Sequence, residues 1–174
     1  MLLNLNYFFL LNLMTIYTEA QFKYNQDLTN IDFNDNDVLA EDTFLNCKNL
    51  EFDHLPKISK IPAYCFVGCK CCKNLVIPDT VKEIGECAFL SCKNIESIVL
   101  PEGLTKIDKY AFEQTGITEL TLPKSLTNFD YSIISNCENL EMVKVKTKEQ
   151  FDKLKPFEHY NYYSVVVARD MKPK

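Results

Sequence analysis

Apolar residues return along this chain at a fixed interval. Phe22, Phe44, Phe66, Phe89, Phe112 and Ile134 are separated by 22, 22, 23, 23 and 22 residues. Three residues beyond them stand Asn25, Cys47, Cys69, Cys92, Thr115 and Cys137. Three further rows follow in each interval. The first is Leu28, Leu50, Cys72, Ile95, Ile117 and Leu140. The second is Ile31, Asp53, Leu75, Ile98, Leu120 and Val143, and the third is Phe33, Leu55, Ile77, Leu100, Leu122 and Val145. The spacing is L-x-x-L-x-L, and its last two positions alternate with their neighbours, the period of a half-buried strand. Proline closes four intervals, at Pro56, Pro78, Pro101 and Pro123. It stops a strand because it has no N–H to donate to the ladder.

Each proline opens a return segment with inward residues of its own: Val81 and Ile84, Leu104 and Ile107, Leu126 and Phe129. A short extended piece and a helical turn are predicted there. One rung of 22–23 residues cannot bury these rows alone, so the pattern predicts a coil of about six rungs in which Ile98 packs onto Leu75 and Leu120. With strands about 4.8 Å apart, six rungs span roughly 25–30 Å. Asp53 breaks the second row. An unpaired buried carboxylate is costly, so a bulge or a one-residue shift is expected beside Phe52.

Alternation leaves two side chains per rung facing outward. These are Asn30 and Asp32, Phe52 and His54, Asn74 and Val76, Ser97 and Val99, Glu119 and Thr121, and Met142 and Lys144. Core packing makes no demand on them, yet Phe52, Val76, Val99 and Met142 are apolar. Outward apolar groups with a polar rim form a candidate partner-binding surface. The competing reading is that valine simply favours strands.

The ends differ from the body. Thr147-Lys148-Glu149-Gln150 fits a T-x-x-Q capping box, and Phe151, Leu154 and Phe157 could cover the last rung. Ser164 to Ala168 reads as a terminal strand. Residues 1–18 carry no formal charge and are mostly apolar. Three readings fit them: a signal peptide cleaved after Ala20, a membrane anchor, or a first rung or cap of the coil. The organisation is therefore 1–20 signal peptide or N-terminal cap, 21–145 coil, and 146–174 C-terminal cap.

Composition narrows the chemistry. The chain has 174 residues, 47% hydrophobic and 25% charged, a globular balance within one domain's length. Four glycines and no tryptophan argue against a barrel or propeller with glycine-rich turns. Of the formal charge of −5, the segment from Lys146 onward carries +3 and the first 145 residues −8. The lysines are scattered, so no nucleic-acid surface is expected. Four cysteines sharing one column read as small buried residues at a bend. Cys69-Lys70-Cys71-Cys72 lacks the paired C-x-x-C spacing of zinc sites, and disulfides between rungs stay open as a second reading. His54 and His159 have no triad, H-E-x-x-H or glycine-rich loop near them. No catalytic residue, cofactor, metal or small-molecule substrate is expected.

The run from Ile77-Pro78 through Val81, Ile84-Gly85, Ala88-Phe89 and Cys92 to Ile95 resembles the BspA-like leucine-rich repeats, I-P-x-S-V-x-x-I-G-x-x-A-F-x-x-C-x-x-L. Leu100 to Phe112 repeats the match. The pattern departs at Thr115-Gly116, where the cysteine is replaced and one residue is missing, and at Ile133-Ile134, where Ala-Phe is lost. The resemblance implies a right-handed leucine-rich-repeat solenoid, mainly β with short helical turns, the outward strand residues lying on its concave face. It also implies surface display and binding of other proteins, with an intracellular scaffold as the alternative. Membrane association would follow only if the N-terminal segment were kept as an anchor. The repeat carries no catalytic residues to transfer.

Overall fold

Two short extended segments in each rung pair with their equivalents in neighbouring rungs, and this closes the coil. The computed structural model describes residues 14–160 and 166–169. On the return side lie β1 (Ile16–Tyr17), β2 (Val38–Leu39), β3 (Lys60–Ile61), β5 (Glu83–Ile84) and β7 (Lys106–Ile107). On the strand side lie β4 (Asn74–Val76), β6 (Ser97–Val99), β8 (Glu119–Thr121), β9 (Met142–Val145) and β10 (Val166–Arg169). Every pairing is parallel and displaced by one rung, as in Leu75 with Ile98 and Ile84 with Ile107. The protein is a parallel β-solenoid of about six turns.

The predicted columns fill its interior. Phe44, Phe66, Phe89 and Phe112 are wholly buried. With Phe22 they form a stack, successive ring centroids 5.4–5.8 Å apart and nearly coplanar. The cysteine column tightens that stack. The thiols of Cys47, Cys69, Cys92 and Cys137 donate to the carbonyls of Phe22, Phe44, Phe66 and Phe112 in the preceding rung, at 2.9–3.1 Å. Thr115 occupies the cysteine's place in its rung. Its hydroxyl donates to the Phe112 carbonyl at 2.9 Å and lies 3.4 Å from the Cys137 sulfur. Thr115 keeps a buried donor at this bend, satisfied within its own rung rather than by the preceding one.

The bend also requires a left-handed backbone. Tyr24, Asn46, Gly68, Ser91, Gln114 and Asn136 have φ between 54° and 67°. This turns the amides of Asn46, Gly68, Ser91 and Gln114 along the coil axis, onto the carbonyls of Val67, Leu90, Glu113 and Ser135 in the next rung at 2.6–3.1 Å. The inter-rung bonds offset the cost of positive φ at side-chain-bearing residues. Gly116 serves a different need. Its rung lacks one residue before Ile117, and a Cβ there would lie 2.4 Å from the Lys93 carbonyl oxygen. The shortcut runs against the neighbouring backbone, and only glycine fits.

Two rungs correct the sequence reading. In the rung from Phe44 to Leu55, Phe52 and not Asp53 fills the inward column. It is 2% exposed and packs 5.0 Å from the Phe66 ring. Glu51 bridges Asn30, while Glu51, Asp53 and His54 are exposed. The rung is one residue short between Leu50 and Phe52 and one residue long between Phe52 and Leu55. This is the one-residue shift that the carboxylate demanded, and it removes Phe52 from the outer face. In the next rung Cys71, at φ 51°, takes the buried place expected for Cys72, which is left half-buried.

Both ends are tied down. Helix α1 (Lys148–Tyr160) follows β9. The Gln150 amide N–H donates to the Thr147 hydroxyl at 3.1 Å, as the capping box predicts. The Gln150 side chain, 1% exposed, accepts from the Lys146 amide and donates to the carbonyls of Pro123 and Leu126 at 2.8 and 3.0 Å. Leu154 is buried and Phe151 half-buried against the last rung, while the Phe157 side chain lies outside the described residues. At the other end Tyr17 of β1 packs among Phe22, Phe33 and Phe44. Buried Asp37 receives the amides of Thr15 and Asn34 at 2.8 and 2.9 Å. Burial and the Asp37 carboxylate push the Tyr17 hydroxyl up to about 12. Of the N-terminal segment, residues 14–20 belong to the coil, and 1–13 lie outside the described residues.

Candidate functional site

The strand side displays two outward columns. Asn74, Ser97, Glu119 and Met142 form one, and Val76, Val99, Thr121 and Lys144 the other. Val76 and Val99 are direct register partners and are 58% and 57% exposed. An exposed apolar pair therefore sits at the middle of the ladder. Polar contacts run around it. The Ser97 hydroxyl donates to the Asn74 side-chain oxygen at 2.8 Å. Lys144 pairs with Glu119 at 2.9 Å and Lys73 with Glu96 at 2.8 Å, and Lys70 pairs with Glu51. Exposed pairs of this kind contribute about 1 kcal/mol or less. They leave the surface nearly neutral around the valines, with Asp32, Glu51 and Asp53 toward the N-terminal end.

Of the ten outward residues expected from Phe52 to Lys144, eight are thus brought onto one face. Phe52 is in the core. His54 is exposed, but it lies past the bend and off the columns. Its Nε2 stands 2.6 Å from the Phe33 carbonyl, to which it must donate. It lines an open depression of 350 Å3 with Phe33, Asn34, Asp35 and Asn36. A second, of 370 Å3, lies by Glu19, Leu39, Ala40, Glu41, Lys60 and Pro62.

The return side carries a feature that the sequence reading missed. Ile16 and Val38 are register partners, 58% and 43% exposed, in a two-stranded sheet of their own, and the equivalent places in the next sheet are Lys60, Glu83 and Lys106. The period could have found it: Ile16, Val38 and Lys60 are each 22 residues apart, as are the inward Tyr17, Leu39 and Ile61.

Seven of the eight cysteines are buried. Burial pushes the thiols of Cys47 and Cys87 up to about 11, those of Cys65 and Cys71 well above the usual range, and raises Cys137 and Cys72. Such thiols are poor nucleophiles, because the thiolate is the reactive form. Among the described residues no three His, Cys, Asp or Glu side chains converge to hold a metal ion. No helix among them is long and apolar enough to cross a membrane.

A family model described as BspA type leucine rich repeat region matches the chain in six copies, over residues 2–71 and 59–171. No curated protein matches the sequence. The fold is similar to that of a leucine rich cell surface protein from Faecalibacterium prausnitzii. The TM-score is 0.60 at 18% identity, over 77% of this chain and 43% of that one. The chain thus spans less than half the length of that protein. A leucine rich repeat protein from T. pallidum (TM-score 0.40, 21% identity, 55% and 57% coverage) is also similar. So is one from Bacteroides ovatus (TM-score 0.38, 16% identity, 89% and 66%).

Proposed function

The chain belongs to the BspA type leucine-rich repeat family, and from that premise we propose that it is a non-catalytic protein-interaction module of the cell surface or secreted kind, which binds a protein partner through its outer strand face. One observation carries this reading: Val76 and Val99 stand side by side, both more than half exposed, in the middle of a polar face. Strand preference accounts for a valine at either place, and an exposed pair with a polar rim is also what a protein-binding patch presents. The surface placement draws support from the likeness in fold to the Faecalibacterium prausnitzii cell surface protein.

Photo-crosslinking tests the face. A photoreactive residue at Val99 is expected to trap a discrete partner from intact cells, and one at Lys109, beyond β7 on the return side, is not. Adducts from Lys109 alone, or equally from both, would overturn the reading. Val76→Glu with Val99→Glu is expected to abolish the adduct.

An intracellular scaffold is the second reading, and β1 favours it. Cleavage after Ala20 would remove Tyr17 from the aromatic cluster, and Thr15 from Asp37. Mass measurement of the mature protein separates the two. A start at Gln21 supports export by cleavage, and a retained N-terminus supports the scaffold.

A further inference from the structure

The one-residue slip after Cys69 places a cysteine where other rungs have Leu50 or Ile95, and so sets two thiols against each other. Cys71 Sγ and Cys92 Sγ lie 3.6 Å apart, 4% and 0% exposed, in adjacent rungs. The Cys69 thiol also lies against Cys71, besides donating to the Phe44 carbonyl, whereas Cys47 meets a main-chain carbonyl and Cys137 a carbonyl and the Thr115 hydroxyl. We propose that Cys71 and Cys92 form an inter-rung disulfide when the chain folds in the presence of a small-molecule disulfide, and that burial then preserves whichever redox state folding produced. This inference is independent of where a partner binds.

The step balances as thiol–disulfide exchange. One cysteine sulfur attacks R–S–S–R, forms Cys–S–S–R and expels one R–S–H. The second cysteine sulfur attacks the protein-bound sulfur, forms the Cys71–Cys92 bond and expels the other R–S–H. The two thiols lose two electrons and two protons, and the two departing thiols carry them away.

Geometry and access explain the memory. Sulfurs in van der Waals contact must move closer by about 1.5 Å to reach the bonded separation of about 2.05 Å, a small displacement for side chains. Attack on an external disulfide needs a thiolate and a path to it. The folded protein supplies no path, since both thiols are sealed in the core, and burial raises Cys71 strongly as well. In the unfolded chain both are ordinary, exposed thiols. The redox state is therefore written during folding. Half-buried Cys72, next to Cys71 in sequence, is the thiol left accessible afterwards.

The experiment uses the full chain, unfolded and refolded either in oxidised and reduced glutathione or in excess reduced thiol, then alkylated and mapped by mass after trypsin digestion. Refolding in the glutathione pair is expected to link peptide 71–73 to peptide 83–93, with fragmentation placing the bond at Cys92. The link is expected to persist in Cys72→Ser, to vanish in Cys71→Ala, and to raise Tm by about 5–10 °C. Protein folded in reductant and then moved to the same buffer is expected to form it at least 100-fold more slowly. Two results would overturn the inference: refolded Cys72→Ser without the 71–92 link, or folded and unfolded chains oxidising at similar rates.

Discussion

The two ladders of this coil are alike inside and unlike outside. Inward they present the same chemistry, Leu75, Ile98, Leu120 and Val143 on the strand side and Ile61, Ile84 and Ile107 on the return side, all buried. Outward, the middle of the strand side shows Val76 and Val99, while the middle of the return side shows Lys60, Glu83 and Lys106. The interior follows from the need to bury a continuous core. The outer residues are free of that demand, so the two sides can differ there. In the middle of the return side, charged residues discourage association with other sheets. The valines leave the strand side able to bury area against a partner.

Deletion of residues 147–174 should have the largest effect on this comparison. It strips α1 and β10 from β9, exposes Leu140 and Val143, and leaves the carbonyls of Pro123 and Leu126 without Gln150. The expected outcome is loss of soluble monomer or a fall in Tm above about 10 °C, read by size-exclusion chromatography and calorimetry. A soluble monomer with unchanged melting would mean that the helix is not a cap.

Core truncation tests whether the ladders are equivalent inside. Ile98→Ala and Ile84→Ala should each cost about 2–5 kcal/mol in chemical denaturation. A cost confined to Ile98 would show that the return side is ornament on a strand-side core. Gly116→Ala comes next, at about 1–3 kcal/mol, because its methyl group meets the Lys93 carbonyl of the adjacent rung. Smaller effects belong to the outer residues. Ser97→Ala should cost less than about 0.5 kcal/mol despite its bond to Asn74, which water can replace. Val76→Glu with Val99→Glu should leave Tm within a few degrees while removing partner binding. Melting strongly reduced by the double variant would show that the valines belong to the fold rather than to a site.

Spacing alone revealed the repeat, its period, the phenylalanine and cysteine columns, the return-segment core and the capping role of Thr147. These follow from local facts: a rung of 22–23 residues must stack, and stacking in register turns sequence period into spatial columns. Only the tertiary structure decided where each rung absorbs an extra or missing residue. Phe52 exchanged faces with Asp53, and Cys71 with Cys72, without changing the period, because neighbouring rungs hold the chain at both bends and the slip is taken up between them. The same holds for Gln150: the capping box places its side chain on the Thr147 amide, but its oxygen accepts from the Lys146 amide and its donors go to Pro123 and Leu126 in the preceding rung, more than 20 residues away. Ile16 and Tyr17 carry the period too, but an uncharged apolar stretch reads equally as a leader. Only their pairing with Val38 and Leu39 makes them part of the coil. Side-chain type and interval determine what must be buried, and contact with the adjacent rung determines which of two neighbouring residues is the one inside.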